Sequence, residues 1–201
     1  MTSMRVIGGH ARGRRLKVPK GRNLRPTSAR VKEALFNILP HDLSGARVLD
    51  LFAGTGNVTI EALSRGAAEA ILVDSSNESG KVIRENLGRL RLADRTKVWI
   101  IPVTRAVKLL ARRGETFDVI FLDPPYEQKS VAPTVKAVAE GGLLRQTGVL
   151  IAEHSLREDL QSRYGALVLD DQRRYGSTLL SFFRHEEQTR RTPEGPHDHV
   201  I

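Results

Sequence analysis

The sequence predicts an α/β fold: a mostly parallel sheet of seven strands with helices on both faces, preceded by a basic hairpin and helix. Three observations carry this. Short apolar runs alternate with helix-period runs from residue 46 onward. Two of those runs, around Val48-Leu49 and Val119-Ile120-Phe121-Leu122, are apolar on both faces, as parallel strands under helices must be. A glycine-bearing loop directly follows the first of them and leads into a helix.

The elements follow in order. Residues 5–18 read as two short strands around a turn that contains glycine, a basic hairpin. Pro26 disfavours helix before it, and Thr27 or Ser28 supplies a cap. A helix is expected over Ala29–Leu39, with Val31, Leu35, Phe36 and Leu39 at helical spacing and Pro40 as its stop. Strands are expected at Arg47–Leu51, Glu69–Asp74, Lys97–Ile101, Phe117–Leu122, Gly148–Glu153, Ala166–Leu169 and Thr178–Phe183. Helices are expected near Thr59–Arg65, Glu78–Leu90, Arg105–Arg112 and Ser130–Ala139, and the last two strands form a hairpin. The polar segment after His185 reads as a disordered tail. The expected organisation is therefore a basic N-terminal part (1–40), one catalytic α/β domain (41–185) and a tail (186–201).

Composition narrows the partner. The chain has 201 residues and a formal net charge of +9. Residues 1–32 hold ten Lys or Arg and no Asp or Glu, leaving 22 basic against 23 acidic side chains in the rest. A near-neutral domain thus carries a strongly basic arm, which favours a polyanion through counterion release. Val6, Ile7, Leu16, Val18 and Leu24 interrupt the charge, so an ordered arm is expected rather than a loose tail. There is no cysteine, which excludes disulfides, thiolate metal sites and cysteine nucleophiles. The six histidines show no metal-ligand spacing, and no metal is expected. With no membrane-length apolar run and no secretory pattern, a cytoplasmic protein without a membrane partner is the expectation.

Two motifs carry chemistry. In Asp50-Leu51-Phe52-Ala53-Gly54-Thr55-Gly56, the glycines allow a tight turn and close approach to a ligand. Thr59 stands where a dinucleotide fingerprint has its third glycine. Asp74, eighteen residues past Gly56 at a strand end, suits the two hydroxyls of an adenosine ribose, with Ser75 beside it. Asp50 suits a cationic ammonium and repels a pyrophosphate. The set points to S-adenosylmethionine rather than NAD. Backbone contacts to adenine are expected near Arg105 and Ala106, because the third strand end offers no acidic residue.

Asp123-Pro124-Pro125-Tyr126 follows the strand Phe117–Leu122 at the end where open α/β sheets bind ligands. An exocyclic base amine is a poor nucleophile, its lone pair delocalised into the ring. Asp123 and the Pro124 carbonyl each accept one of its N–H bonds and stabilise the developing positive charge. Pro125 helps fix the turn, and Tyr126 stacks on the base. Asp123 therefore belongs to both the catalytic and the cofactor set.

With these residues in place, the chain resembles the class I amino-methyltransferases, and more closely the bacterial 16S rRNA guanine-N2 methyltransferase family. The resemblance rests on Arg5-Val-Ile-Gly-Gly9 with Gly13-Arg-Arg-Leu16, on Leu24 to Asn37, on Val48 to Gly56 with Glu61-Ala-Leu-Ser-Arg-Gly66, and on Asp123 to Tyr126. It implies a Rossmann-like domain whose N-terminal hairpin contacts RNA, with a loop guanine of 16S rRNA in the 30S subunit as substrate and a monomeric enzyme. Arg5, His10, Arg12, Arg14, Arg15, Lys17, Arg25, Thr27 and Arg30 are the expected RNA contacts. The motifs also fit a DNA adenine-N6 methyltransferase, although such enzymes usually carry a separate recognition domain. A non-catalytic RNA-binding or ribosome-assembly protein is the alternative of another class.

Overall fold

The computed structural model describes residues 4–18, 29–125 and 130–189. The chain divides into two compact units, residues 1–106 and 107–201.

The first unit opens with the basic arm. It turns back on itself, with the Val6 amide donating to the Arg14 carbonyl (3.0 Å), Gly13 to Val6 (2.8 Å) and Leu16 to Met4 (2.9 Å). Only one β-bridge forms, Arg5 with Arg15, so the two expected strands are a single bridged loop. Strand pairing stops there, and the amides of Ile7, Gly8, His10 and Ala11 bond to Glu61 and Ser64 instead. Val6, Ala11 and Leu16 are buried. Helix α1 (Ala29–Ile38) buries Val31, Leu35 and Phe36 and ends ahead of Pro40, which lacks the amide to continue it.

Strands β1 (Arg47–Asp50), β2 (Glu69–Asp74) and β3 (Thr96–Ile100) form a parallel sheet in the order β3-β2-β1. Asp50 pairs with Leu72, and Asp74 with Ile100. Val48, Leu49, Leu72 and Val73 are wholly buried, which accounts for their unbroken apolar runs. Helices α2 (Asn57–Ser64) and α3 (Asn77–Arg89) make the crossovers, a 3₁₀ turn over Ala93–Arg95 leads into β3, and α4 (Val103–Arg112) follows.

In the second unit, β4 (Phe117–Leu122) pairs in parallel with β5 (Leu144–Ser155), and α5 (Val131–Glu140) connects them. β8 (Thr178–His185) then pairs antiparallel with β5, β7 (Leu167–Tyr175) with β8, and β6 (Arg163–Tyr164) with β7. The described residues form eight strands, one more than the seven expected. The extra one, β6, has two residues, too few to display a period in sequence.

Two strands run longer than their apolar cores. β5 begins at Leu144 because Gly148 sits where the register with β4 shifts; a Cβ there would meet the Asp118 carbonyl at 2.9 Å. Its polar residues Arg145-Gln146-Thr147, ahead of the strand expected from Gly148, belong to this irregular start. β7 continues through the exposed Gln172-Arg173-Arg174, whose backbone is held by β8. Past His185, where a disordered tail was expected, Glu186–Thr189 form a short helix, α6. The tail's remaining residues, 190–201, lie outside the described residues.

Candidate active site

The cofactor loop is built at the carboxyl ends of β1 and β2. Gly54 and Gly56 adopt φ of +55° and +75°, in the left-handed region that side chains disfavour. The Ala53 amide donates to the Val73 carbonyl (2.9 Å) and the Gly56 amide to Ala53 (2.6 Å), which folds the loop tightly over the strand ends. A Cβ on Gly56 would press on Leu72 at 3.3 Å, so this glycine also serves packing. Around Gly54 a Cβ would meet nothing nearer than the Phe52 carbonyl at 4.0 Å. Its glycine leaves open space beside the loop.

Asp74 ends β2 and holds the loop. Its Oδ2 accepts the Gly54 amide (2.9 Å) and its Oδ1 the Ser76 amide (2.7 Å). Each carboxylate oxygen has acceptor capacity beyond one such bond, so a ribose diol fits. Asp50 is 4% exposed, and its Oδ2 accepts the Thr59 hydroxyl (2.7 Å). Thr59, which replaces the dinucleotide glycine, is therefore the residue that orients Asp50. Ala53 and Thr55 are buried, Phe52 is half-buried and Ser75 is exposed. Arg105 and Ala106 lie in the first turn of α4, where both amides donate to the Pro102 carbonyl (3.0 Å each). Arg105 is exposed and Ala106 buried. An open glycine loop flanked by two oriented carboxylates fits S-adenosylmethionine, and Asp50 and Asp74 are the residues that would hold its ammonium and ribose.

The basic arm is fastened to the same loop and helices. On α2, the Glu61 carboxylate accepts the Ile7 amide (2.8 Å) and the Gly8 amide (2.7 Å). One turn on, the Ser64 hydroxyl donates to the Gly8 carbonyl (2.6 Å) and accepts the Ala11 amide (2.9 Å), and its carbonyl accepts from the His10 amide and ring. Gly9, with φ +70°, lies so close that a Cβ would fall 1.8 Å from the Ser64 carbonyl oxygen. Asn86 on α3 joins three pieces: its Oδ1 accepts the Lys17 amide (2.7 Å), and its Nδ2 donates to the Lys17 and Thr55 carbonyls (3.1 Å each).

Under the arm, Lys32 of α1 is 1% exposed and donates to the Arg5 carbonyl (2.6 Å) and Asn57 Oδ1 (2.8 Å), with Glu61 at 3.2 Å. Burial pushes its ammonium below the ordinary lysine value, and the Glu61 carboxylate opposes that shift. Lys32, Glu61 and Ser64 had no assigned role in the motif reading. The signal for Glu61 and Ser64 was polar residues on Asn57–Ser64, a helix that is buried nearly all round, and for Lys32 a charge next to the apolar stripe of α1.

Of the predicted RNA contacts, Arg5, His10, Arg12, Arg14, Arg15 and Lys17 are exposed on the arm. Two of them also reach α3, Lys17 to the Glu85 carboxylate (2.5 Å) and Arg14 to the Arg89 carbonyl (3.4 Å). Arg25, Thr27 and the Arg30 side chain lie outside the described residues.

The catalytic tetrapeptide belongs to the second unit. Asp123 directly follows β4 and is half-buried, Pro124 is buried and Pro125 exposed. Tyr126 lies outside the described residues. Among the described residues no group of three or more His, Cys, Asp or Glu is arranged to hold a metal, and no helix is long and apolar enough to cross a membrane.

The family model described as conserved hypothetical protein 95 matches residues 4–184. The Bacillus subtilis protein YlbH is 37% identical over 90% of this chain and 98% of its own. Ribosomal RNA small subunit methyltransferase D of Escherichia coli K12 is 31% identical over 92% of this chain and 91% of its own. Among solved structures, yhhF from Escherichia coli superposes with a TM-score of 0.79 at 27% identity, covering 92% of this chain and 99% of that one. A hypothetical protein of Thermus thermophilus gives 0.77 at 33% identity, covering 90% and 98%. The architecture is the α/β fold of the class I methyltransferases.

Proposed function

The chain belongs to the family described as conserved hypothetical protein 95, and from that membership we propose an S-adenosylmethionine-dependent methyltransferase that modifies the exocyclic N2 amine of one loop guanine in the 16S rRNA of the 30S subunit. The coarser part, methylation of ribosomal RNA, is what the curated relative from Escherichia coli is named for. The guanine amine, the 30S subunit as substrate and a monomeric, cytoplasmic enzyme are the finer part of the reading. The single observation that carries the chemistry is the Asp123-Pro124-Pro125 turn at the carboxyl end of β4.

When bound, S-adenosylmethionine supplies an electrophilic methyl carbon: the amine lone pair forms the C–N bond, the C–S pair stays on sulfur, and S-adenosylhomocysteine leaves. Asp74 and Asp50 bind and orient that group. Asp123 and the Pro124 carbonyl accept the two N–H bonds of the target amine and draw its lone pair out of conjugation. Asp123 then takes the surplus proton. Tyr126 stacks on the base, and Arg5, His10, Arg12, Arg14, Arg15 and Lys17, with Arg25, Thr27 and Arg30, hold phosphates without reading sequence.

A labelled-methyl assay tests this on 30S subunits, naked 16S rRNA and duplex DNA, with Asp123→Ala as control and the modified nucleoside identified. Incorporation as N2-methylguanosine into ribosomal substrate is expected. Incorporation into DNA alone would overturn the ribosomal reading, and cofactor binding without transfer to any substrate would favour a binding role.

A further inference from the structure

We propose that Glu153 reads the guanine: its carboxylate accepts the N1–H of the target base and so selects guanine over adenine. The inference rests on the guanine-N2 reading above and adds a residue that neither motif contains.

The placement comes from the ladder between β4 and β5. Phe121 pairs with Ile151 and Leu122 with Ala152 in parallel register. Continued one step past its last pair, that register sets Asp123 across from Glu153, where neighbouring strands are about 4.8 Å apart. Side chains alternate along each strand, so Asp123 shares a face with Phe121, and Glu153 with Ile151, its partner on the neighbouring strand. Two carboxylates thus fall on one face beside the carboxyl end of β4, Asp123 just past it and Glu153 on the neighbouring β5, where such sheets take their ligands.

Glu153 is buried to 8% exposure, an unusual site for a carboxylate. Its backbone is anchored by β8. It pairs with Leu180 of β8, and the next residue, His154, bonds through Nε2 to the Ser181 hydroxyl (2.8 Å) on the opposite face. Gln172 donates to the same hydroxyl (2.8 Å). A strand held this firmly fixes the backbone at Glu153.

The donor count of the base then matches. The Watson–Crick edge of guanine offers three N–H bonds, two on N2 and one on N1. Asp123 and the Pro124 carbonyl take the first two, and Glu153 takes the third. Adenine also offers two amine hydrogens, but its N1 is a bare acceptor. An ionised carboxylate is acceptor-only and repels it. The Asp-Pro-Pro-Tyr turn serves either amine, whereas a carboxylate beside it serves guanine.

The test uses 30S subunits reconstituted with the target guanine or with 2-aminopurine in its place. The analogue keeps the 2-amine and turns N1 into an acceptor. Wild-type enzyme should form N2-methylguanosine and disfavour the analogue by about 100-fold or more, as sites built around a substrate N–H do. Glu153→Gln keeps the shape and supplies an amide that donates to the analogue's N1. We expect guanine methylation to fall about 10-fold, analogue methylation to rise, and the ratio to collapse. Glu153→Ala should narrow the ratio too, with a lower rate on guanine. S-adenosylhomocysteine affinity and melting temperature serve as controls for folding. A ratio unchanged in both variants, whatever the rates, would overturn the proposal. If wild type forms no N2-methylguanosine on natural subunits, the base reading itself fails, and that result precedes any variant.

Discussion

Asp74 ends a parallel strand and Asp123 follows one, yet the backbone just after each is built differently. At Asp74, Oδ1 accepts the amide of the residue two positions on, Ser76, and Oδ2 accepts the loop amide of Gly54. That carboxylate is a structural clamp as well as the proposed ribose ligand. At Asp123 the next two residues are prolines. Neither has an N–H, so the local turn that captures Asp74 cannot form there. Proline at these positions removes the two following amides as donors to the Asp123 carboxylate. The turn after Asp74 is closed by a backbone amide; the residues after Asp123 supply none.

Breaking the second end should produce the largest effect. Asp123→Ala is expected to lower kcat by about 10³-fold, the scale of a positioned acid–base or charge-stabilising group. Single-turnover methylation of 30S subunits measures it. Asp74→Ala should raise the KM for S-adenosylmethionine by about 10- to 100-fold, the loss of a charged hydrogen-bond acceptor, and leave saturated kcat within a few-fold. Pro125→Ala sharpens the contrast by restoring an amide at the position that Ser76 occupies relative to Asp74. It should cost about 10-fold in kcat with no change in cofactor KM.

The arm gives a smaller, ionic effect. Neutralising Arg12, Arg14 and Arg15 together should reduce the salt slope of RNA binding by about one per lost phosphate contact. Cofactor affinity should not move, and filter binding at two salt concentrations decides. The smallest effect concerns His154. Burial holds its pKa below the ordinary value of 6.5, opposed by the Ser155 carbonyl and by Glu158 and Asp159. A folded-state pKa below the unfolded one means the unfolded chain binds the proton first. Stability should therefore decline as pH falls below about 6.5, with a slope of at most about 1.4 kcal/mol per pH unit. His154→Gln should flatten that decline in urea melts from pH 7.5 to 5.5.

Much of this was legible in the amino acids. β2 and β4 have the expected bounds because both faces are buried and nothing interrupts the apolar run. The loop glycines and strand-end aspartates fall where their spacing put them. Polar segments hid structure instead. The start of β5 and the far end of β7 are strands held by neighbours rather than by their own composition. Least legible was the seating of the arm. Glu61, Ser64 and Asn86 spend their polar atoms on backbone groups 50 or more residues away or on the loop itself, and no local pattern encodes such a partner. The Gly8-Gly9 pair was readable as a turn, but its cause is the closeness of Arg65 and Ser64.

The division of labour between the two strand ends can be tested by calorimetry with S-adenosylhomocysteine on Asp74→Ala and Asp123→Ala. Asp74→Ala is expected to weaken binding by at least about 10-fold, while Asp123→Ala weakens it by a few-fold at most and lowers methyl transfer by about 10³-fold. Equal weakening in both variants, or retained affinity in Asp74→Ala, would contradict it.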